Sequence, residues 1–245
     1  VQLQIGNFIM PTRARRKRRV KSPEIQQLPF QETRNPFKPM EIVSADEIEH
    51  IHNQSLRILA EIGIKVDSQR ALNLLRQAGA KIDQSKNIVK LDRDLVEEML
   101  IGIPSEFIVH ARDPKKTLKI GNNSLLFATV CGPSFVSDID RGRRAGTLQD
   151  MQNFVKLTQS LNIFHHEGGS GCEPLDLPGE TRHLDMMLTQ LTLSDKGWQP
   201  CWMNSAERAR DCIEMAKIAL QLNDDGLLNN PGVLGGVNTN HPLLF

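Results

Sequence analysis

Strand-like apolar runs return about every 35 residues through the second half of the chain, and predicted helices fill the gaps between them. The four runs cover residues 125–130, 162–166, 199–203 and 232–237, so their starts lie 37, 37 and 33 residues apart. Alternation of strand and helix at a steady period is typical of parallel βα units. The sequence therefore predicts an α/β fold, with the first four strands of a (β/α)8 TIM barrel in residues 121–245. A doubly wound open sheet is the alternative, although no strand is followed by the G-x-G-x-x-G pattern of its dinucleotide-binding form.

The helices between these runs have readable ends. Residues 147–161 begin at Thr147 and residues 205–222 begin at Ser205, both of which are good N-cap residues, and residues 179–193 follow Pro178. The chain stops at residue 245, directly after the fourth predicted strand and without the helix that should follow it. We therefore expect the sequence to be a fragment of a longer barrel enzyme.

Two regions precede the predicted barrel. Residues 1–39 are a basic, proline-rich N-terminal arm that we interpret as a linker or a wrapping segment, and residues 40–120 form a small α/β subdomain. Ser44 and Glu47 have the spacing of a capping box, and Ser68 can cap a second helix. A third helix is predicted at residues 92–100, and extended segments at 88–91, 107–110 and 117–120. The first helix has an apolar stripe predicted to face inward, made of Ile48, Ile51, Leu56, Leu59 and Ile62.

The net charge of +1 conceals an uneven distribution. Residues 1–21 contain seven basic residues and no acidic one, which leaves 23 basic against 29 acidic residues, a net charge of −6, for the rest of the chain. Such a basic run can bind nucleic acid, but it lacks interleaved aromatic residues and any nucleic-acid-binding motif, so a solvated arm is the favoured interpretation.

Composition also limits the cellular setting. No stretch of eighteen apolar residues is present, and the N-terminus shows no signal peptide, so neither a membrane span nor secretion is predicted. The four cysteines have neither zinc-site nor disulfide-framework spacing, which favours a reducing, cytoplasmic location.

Polar residues gather at the predicted carboxyl ends of the strands, where parallel βα folds place their functional sites. These candidates are Glu167, Asp176, Asn204, Asn238 and Asn240, together with Arg143 and Arg144 in the first βα loop, which could hold an anionic group. The segment Gly168–Gly171 lacks the residues of a P-loop, so we expect it to allow close approach to a ligand or to form a turn.

A metal site is considered at the sequence His165-His166-Glu167. Neighbouring strand residues point to opposite faces, so we expect His165 and Glu167 to share one face and His166 to pack against the helices. Two ligands are too few for a zinc site, and no metal site is predicted.

Short pieces in a fixed order carry a family resemblance across residues 10–245. They are residues 13–19, 51–59, 61–64, 71–80, 110–114, 142–144 with Asp150, the Asp176-Leu177-Pro178 and Asp195-Lys196 pairs of the second and third units, and 240–243. With these pieces the chain resembles the N-terminal half of the trimethylamine methyltransferase family, which also includes glycine betaine methyltransferases.

The resemblance implies a barrel enzyme that moves a methyl group from trimethylamine, or from a quaternary amine such as glycine betaine, to the cobalt of a separate corrinoid protein. No cofactor is then bound directly, because the corrinoid belongs to the partner protein. If the chain has this activity, the strand-end residues Glu167, Asp176, Asn204, Asn238 and Asn240 are expected to bind the substrate, and Arg143 and Arg144 of the first βα loop are expected to face the corrinoid. The trimethylamine enzymes of the family carry pyrrolysine in a region beyond Phe245, and relatives without pyrrolysine prefer quaternary amines, so the substrate class stays open.

Further expectations concern the activity of the chain, its functional class and its assembly. The chain alone is expected to be inactive, because half a barrel lacks the loops of four units. A non-catalytic module that docks a corrinoid protein is the alternative function, and a nucleic-acid-associated protein is a weaker third. A homo-oligomer is left open.

Overall fold

The computed structural model describes residues 25–38, 40–200 and 203–236. Its helices are α1 Ala45–Arg57, α2 Gln69–Gln77, α3 Arg93–Ile101, α4 Leu148–Ser160, α5 Arg182–Leu193, α6 Ala206–Leu220 and α7 Asp224–Asn229. Its strands are β1 Thr33–Arg34, β2 Ile64–Lys65, β3 Lys81–Asp83, β4 Ile88–Lys90, β5 Glu106–Val109, β6 Leu118–Gly121, β7 Ser124–Leu125, β8 Phe135–Asp138, β9 Gly142–Ala145, β10 His166–Glu167 and β11 Gly197–Trp198. The mixed α/β class predicted from the sequence is confirmed.

Side-chain caps fix where several helices begin. The Ser44 hydroxyl accepts a hydrogen bond from the Glu47 amide, and the Glu47 carboxylate accepts one in return from the Ser44 amide, which completes the predicted capping box. Thr147 and Asp150 form the same reciprocal pair at α4. Ser68 and Ser205 cap α2 and α6 as predicted.

The N-terminal part contains a three-stranded antiparallel sheet in the order β2-β4-β3. Val66, Leu72, Ala80 and Val89 form its buried core. Farther along the chain, β5 and β6 pair as an antiparallel hairpin. The predicted extended segments at 88–91, 107–110 and 117–120 correspond to β4, β5 and β6, whereas β2 and β3 were not predicted.

The apolar stripe of α1 lies differently from the prediction. Only Leu56 of α1 is buried, while Ile48 and Ile51 are more than half exposed. The helix continues as a five-residue π-helix, Ile58–Ile62, in which Ile58 and Ile62 are also exposed, and it ends at Gly63 with φ +83°. The expectation that the whole stripe faces inward is therefore wrong.

Four parallel segments follow one another in chain order beyond residue 125. Ala128 bridges to His166, β10 pairs with β11, and Trp198 bridges to Val233, all in parallel. Helices α4, α5 and α6 lie in the intervals between them. The predicted order of parallel βα units is thus present, although the paired strands are only two residues long. Closure of this array into a barrel stays a prediction.

The first βα connection contains an antiparallel hairpin, β8–β9, that was expected to be an open loop. Asp138 Oδ1 accepts hydrogen bonds from the backbone amides of Asp140 and Arg141, and Gly142 takes φ +63°, so the turn is closed by local bonds. Val136 is the one buried residue of the four-residue strand β8. A pattern this short does not distinguish a strand from a loop in the sequence.

The described part of the N-terminal arm, residues 25–38, wraps over the later units. β1 pairs antiparallel with β7, Gln27 exchanges hydrogen bonds with Ser160 and Asn162, and the Gln31 carbonyl lies 2.9 Å from His165 Nε2. This contact pattern supports the wrapping interpretation over the linker one. The basic run at 13–21 lies outside the described residues.

Within the described ranges, no helix combines the length and the apolar character needed to cross a bilayer.

Candidate functional site

The two faces of the parallel array are occupied by different side chains. Glu167 pairs in register with Trp198, and Trp198 packs into a cluster with Met187, Leu191, Cys212 and Ala216 of α5 and α6. Side chains at paired positions of neighbouring strands share a face. Glu167 therefore points into the layer between strands and helices. His166 pairs with Gly197 and points the other way, so the prediction that His166 packs against the helices is wrong.

Glu167 occupies a dry position in this layer. Its side chain is fully buried, and neither carboxylate oxygen has a hydrogen-bond partner of ordinary geometry among the described residues. Burial raises the pKa of Glu167 to about 7, and the hydroxyls of Thr158 and Thr129 with the Lys196 ammonium offset only part of this effect. The carboxyl group is therefore half protonated near neutral pH.

Lys196 is buried beside Glu167 and caps the carboxyl end of α4. Its ammonium donates hydrogen bonds to the carbonyl oxygens of Thr158, Leu161 and Phe164 at 2.5, 2.8 and 2.7 Å. Thr158 lies in the last turn of α4, and Leu161 and Phe164 follow it, so the ammonium sits where the helix dipole favours a cation. Burial lowers the pKa of Lys196 to about 8, and the nearby Lys116 ammonium adds to the effect.

The neighbouring Asp195 ties the N-terminal part to this position. Its carboxylate accepts hydrogen bonds from Lys116 and from Gln159 Nε2, and its carbonyl accepts one from the Asp113 amide. The Asp195-Lys196 pair, noted in the sequence only as a matching piece, is thus a structural junction. The only indication of this junction in the sequence was a lysine directly before an apolar strand.

We expect the buried carboxyl group of Glu167 to lower the free energy of unfolding as the pH rises from acidic to neutral. Its pKa is about 4.5 when exposed and about 7 when folded, so the folded protein binds more protons between these values. Its contribution is complete below pH 4.5 and is lost as the pH rises through 7. Relative to wild type, Glu167→Gln should therefore gain about 2 to 3 kcal/mol in unfolding free energy between pH 4.5 and 7.

Urea unfolding across this pH range measures the difference. Glu98→Gln, which changes an exposed carboxylate of α3, is the control and should reproduce the wild-type pH profile. Parallel profiles for Glu167→Gln and wild type would show that the buried carboxyl does not take up a proton on folding.

The two histidines of this strand are buried in different ways. His165 Nδ1 accepts a hydrogen bond from the Phe127 amide, and its Nε2 donates to the Gln31 carbonyl, which corresponds to a neutral ring. Burial lowers the pKa of His166 to about 4, so this ring is also neutral at pH 7. No group of three or more metal-ligating side chains occurs among the described residues.

The glycine segment after β10 packs against the preceding loop. A Cβ on Gly168 would lie 2.0 Å from the Thr129 carbonyl oxygen, and one on Gly169 would lie 2.6 Å from Cys131 Sγ. The Gly132 amide also donates to the Ser170 carbonyl at 3.0 Å. These glycines therefore let two neighbouring strand-end loops approach each other. The close approach seen here is to the protein itself, and approach of these glycines to a ligand stays a prediction.

Asp176 lies on the surface at the start of α4. Its Oδ1 accepts a hydrogen bond from the Leu148 amide at 2.9 Å, which satisfies one of the free donors of that helix. This contact gives Asp176 a capping role. Its predicted part in substrate binding stays a prediction.

The two arginines predicted to face the corrinoid differ in their contacts and in their exposure to solvent. Arg144 donates to both oxygens of Asp150 and to Asp138, and these bonds raise its pKa and hold the pKa of Asp150 far below its usual range. Arg143 lies on the exposed side of β9, with its guanidinium 3.9 Å above the Phe135 ring. Arg144 therefore fastens the hairpin to α4, and Arg143 is the arginine presented to solvent.

The remaining candidates are three asparagines. Asn204 is exposed and directly precedes Ser205, the N-cap of α6. Asn238 and Asn240 lie outside the described residues. Asn204 therefore lies after the third parallel segment, as expected. That the three asparagines converge on one site stays a prediction.

Sequence reasoning missed a histidine–carboxylate pair beside these loops. His183 Nε2 lies 2.8 Å from Asp211 Oδ2, while its buried Nδ1 has no partner among the described residues. His183 lines a cavity of about 30 Å³ with Ser170 and Arg182, a volume suited to one or two water molecules. His183 and Asp211 come from different helices, α5 and α6, so no local pattern announces them.

Comparison with known proteins identifies relatives of one kind. A family model described as trimethylamine methyltransferase matches residues 10–245. A glycine betaine methyltransferase of Desulfitobacterium hafniense is 36% identical over 207 residues, which is 83% of this chain and 42% of the relative. A trimethylamine methyltransferase of the same species is 28% identical over 49% of this chain and 24% of its own length. A proline betaine:corrinoid methyltransferase of Eubacterium limosum is 31% identical over 55% of this chain and 27% of its own length.

The chain thus spans less than half the length of the curated relatives that it matches. The family match nevertheless extends over more than nine-tenths of the present sequence, and it covers the capped helices, the hairpin and the parallel segments described above. The chain belongs to the trimethylamine methyltransferase family.

Proposed function

We propose that this chain is part of a methyltransferase that moves a methyl group from a quaternary amine, with glycine betaine as the first candidate, to the cobalt of a separate corrinoid protein. The observation that carries the proposal is the 36% identity to a glycine betaine methyltransferase over 83% of the chain. Two other relatives bear the word corrinoid in their names, which supports a corrinoid protein as the methyl acceptor. The cytoplasm is the proposed location.

The reaction needs alignment more than it needs a protein nucleophile. The carbon–nitrogen bond of the methyl group breaks as a carbon–cobalt bond forms, and the amine leaves with the electron pair of the broken bond. A quaternary nitrogen is already cationic, so it leaves as a neutral amine without prior protonation. The contribution of the protein is to hold the methyl group in line with the metal, a positioning task that alone can supply a large part of the rate.

The described residues supply a frame for this task. Hydrogen bonds between the first two strand-end loops, and the anchoring of β8–β9 by Arg144, hold the carboxyl side of the parallel segments in one arrangement. We propose that Asn204, Asn238 and Asn240 bind the substrate carboxylate through their amide groups. Glu167 and Asp176 are proposed to position these loops, because one is buried against α4 and the other caps it.

The test is methyl transfer by the full-length gene product. The protein is mixed with the corrinoid protein in its cobalt(I) form, and the loss of the cobalt(I) absorbance is followed with glycine betaine or trimethylamine as donor. Turnover with glycine betaine and formation of dimethylglycine are expected. Turnover with trimethylamine alone would reject the substrate class. Binding of the corrinoid protein without transfer from either amine would favour a docking module instead. Residues 1–245 alone are expected to transfer no methyl group.

Arg143 is expected to act on the corrinoid side of this reaction. Its side chain is exposed on the hairpin, so Arg143→Glu should raise the KM for the corrinoid protein about tenfold, the equivalent of about 1.4 kcal/mol, and leave kcat nearly unchanged. Arg210→Glu makes the same charge change at an exposed position of α6 and is the control for net charge. An equal KM increase in both variants would mean that only the net charge of the protein matters. An unchanged KM in Arg143→Glu would contradict the proposal that Arg143 faces the corrinoid protein.

A further inference from the structure

The buried side chain of His165 joins the N-terminal arm to the parallel segments. It is 1% exposed, and each of its ring nitrogens lies against a backbone group. Nδ1 accepts a hydrogen bond from the Phe127 amide at 3.1 Å, and Nε2 donates one to the Gln31 carbonyl at 2.9 Å. One nitrogen therefore holds the body of the protein, and the other holds the arm.

These two partners fix the number of protons on the ring. A backbone amide only donates and a carbonyl oxygen only accepts, so Nδ1 must carry a lone pair and Nε2 a proton. A second proton, on Nδ1, would set two N–H groups against each other across the 3.1 Å that a hydrogen bond now spans. The closed arm is thus compatible with the neutral imidazole and not with the imidazolium.

The packing of the ring makes the arm part of its enclosure. The centroid of the Phe30 ring lies 5.6 Å from that of His165, and the centroid of the Phe127 ring lies 6.0 Å from it on a stacked ring. Phe30 belongs to the arm and Phe127 to the body. Water reaches the imidazole only when the arm moves away, and a charged ring gains far more from hydration than a neutral one.

Charges around the ring act in the same direction. The Lys196 ammonium lies 5.7 Å from the centroid of the Phe30 ring, on which His165 also packs. Glu167 offsets this positive charge only while it is ionised, and burial raises its pKa to about 7. Burial lowers the pKa of His166 to about 4, so this ring stays neutral in mild acid. Acidification thus leaves Lys196 less compensated beside the arm.

Carboxylates on the neighbouring elements are already paired. Glu32 of the arm accepts a hydrogen bond from the Lys119 amide at 3.0 Å and lies 3.8 Å from the Arg34 guanidinium. Asp195 forms an ion pair with Lys116. A proton added to the imidazole would therefore compete with existing partners for these carboxylates.

We infer that His165 is a proton-dependent latch for the N-terminal arm, and that uptake of a proton from water at Nδ1 releases residues 25–35 from the body. The Nε2 proton stays in place, and the ring becomes an imidazolium. An exposed histidine titrates near pH 6.5, so the open arm binds more protons below that pH and acid favours opening. The opening equilibrium should rise about tenfold between pH 7.5 and 5.5. This inference stands independently of the proposed reaction.

Hydrogen exchange of the full-length gene product, resolved by mass spectrometry of its peptides, tests the latch. Rates at the two pH values are divided by the intrinsic rates of the same peptides in the unfolded protein. Protection of residues 30–36 should fall about tenfold on acidification. So should that of the Lys119, Phe127 and Asn162 amides, which bond to the arm or to the ring. Helix α2, in the separate core of the N-terminal sheet, should keep its protection.

Neutral substitutions remove the titrating group. In His165→Gln the protection of the arm should no longer depend on pH, and His165→Asn is a second neutral variant with a shorter side chain. His52→Gln, at an exposed histidine of α1, is the matched control and should keep the tenfold change. Glu167→Gln should keep it too, which separates the latch from the protonation of that carboxyl group.

Constant protection of the arm in the wild-type protein between pH 7.5 and 5.5 would overturn the inference. So would a tenfold change that persists in either folded His165 variant, or one that Glu167→Gln abolishes. The wild-type and Glu167→Gln profiles decide the question even if neither His165 variant folds.

Discussion

Replacement of Lys196 with methionine is expected to lower the free energy of unfolding by about 4 kcal/mol, the range measured when one partner of a buried charged cluster is removed. The substitution deletes three charge-assisted hydrogen bonds to the carbonyls of Thr158, Leu161 and Phe164. Methionine fills a similar volume but cannot donate, so one buried and two partly buried carbonyl oxygens lose their partner. Glu167 also loses the cation beside it, which favours its protonated form further.

Urea unfolding at pH 7 measures this loss. Lys156→Met changes an exposed lysine of α4 itself and should remain within about 0.5 kcal/mol of wild type. Hydrogen exchange should show the last turn of α4 opening first in Lys196→Met, because its carbonyls are the ones released. Equal stabilities for the two variants would contradict a capping role for Lys196.

Gly168→Ala is the second substitution with a large expected cost, about 3 kcal/mol. The new methyl group would lie 2.0 Å from the Thr129 carbonyl oxygen, and a backbone atom cannot rotate away as a side chain can. The two strand-end loops would have to separate, which also strains the hydrogen bond from the Gly168 amide to Thr129 Oγ1. The melting temperature should fall by roughly 6 to 12 °C for a chain of this size.

Gly179→Ala is the matched control for this effect. Nothing lies within 4 Å of the position of its Cβ, so the substitution should be neutral or stabilise the protein by up to about 1 kcal/mol. A melting temperature of Gly168→Ala close to that of Gly179→Ala would mean that the two loops do not pack as described.

The sequence predicted those features that depend on neighbouring residues. The capping box at Ser44 and the N-cap at Thr147 need only a side chain and an amide three positions away, so their residue types suffice to locate the helix starts. The steady spacing of apolar runs likewise predicted the order of the parallel segments, because each unit must bury a helix against a strand.

Features set by contacts between distant residues could not be predicted in this way. The second strand was predicted at residues 162–166, which placed Glu167 just after its end, whereas the observed strand is His166–Glu167. A shift of one residue along a strand moves each side chain to the opposite face of the sheet. The outward stripe of α1 has the same pattern as an inward one, since periodicity reveals an apolar face and not what covers it. The candidate asparagines carry no local signal that distinguishes ligand binding from turn formation.

The wrapping arm sets a constraint on the order of events during synthesis. Its strand Thr33–Arg34 pairs with Ser124–Leu125, and Gln27 and Gln31 bond to Asn162 and His165. At about 5 to 20 residues per second, the arm emerges from the ribosome roughly 10 s before these partners exist. Helices α1 to α3 can form their local contacts in that interval, but residues 25–35 of the arm must wait for their partners. A nascent chain halted before residue 120 should therefore leave residues 25–35 open to protease, and one halted beyond residue 236 should protect them.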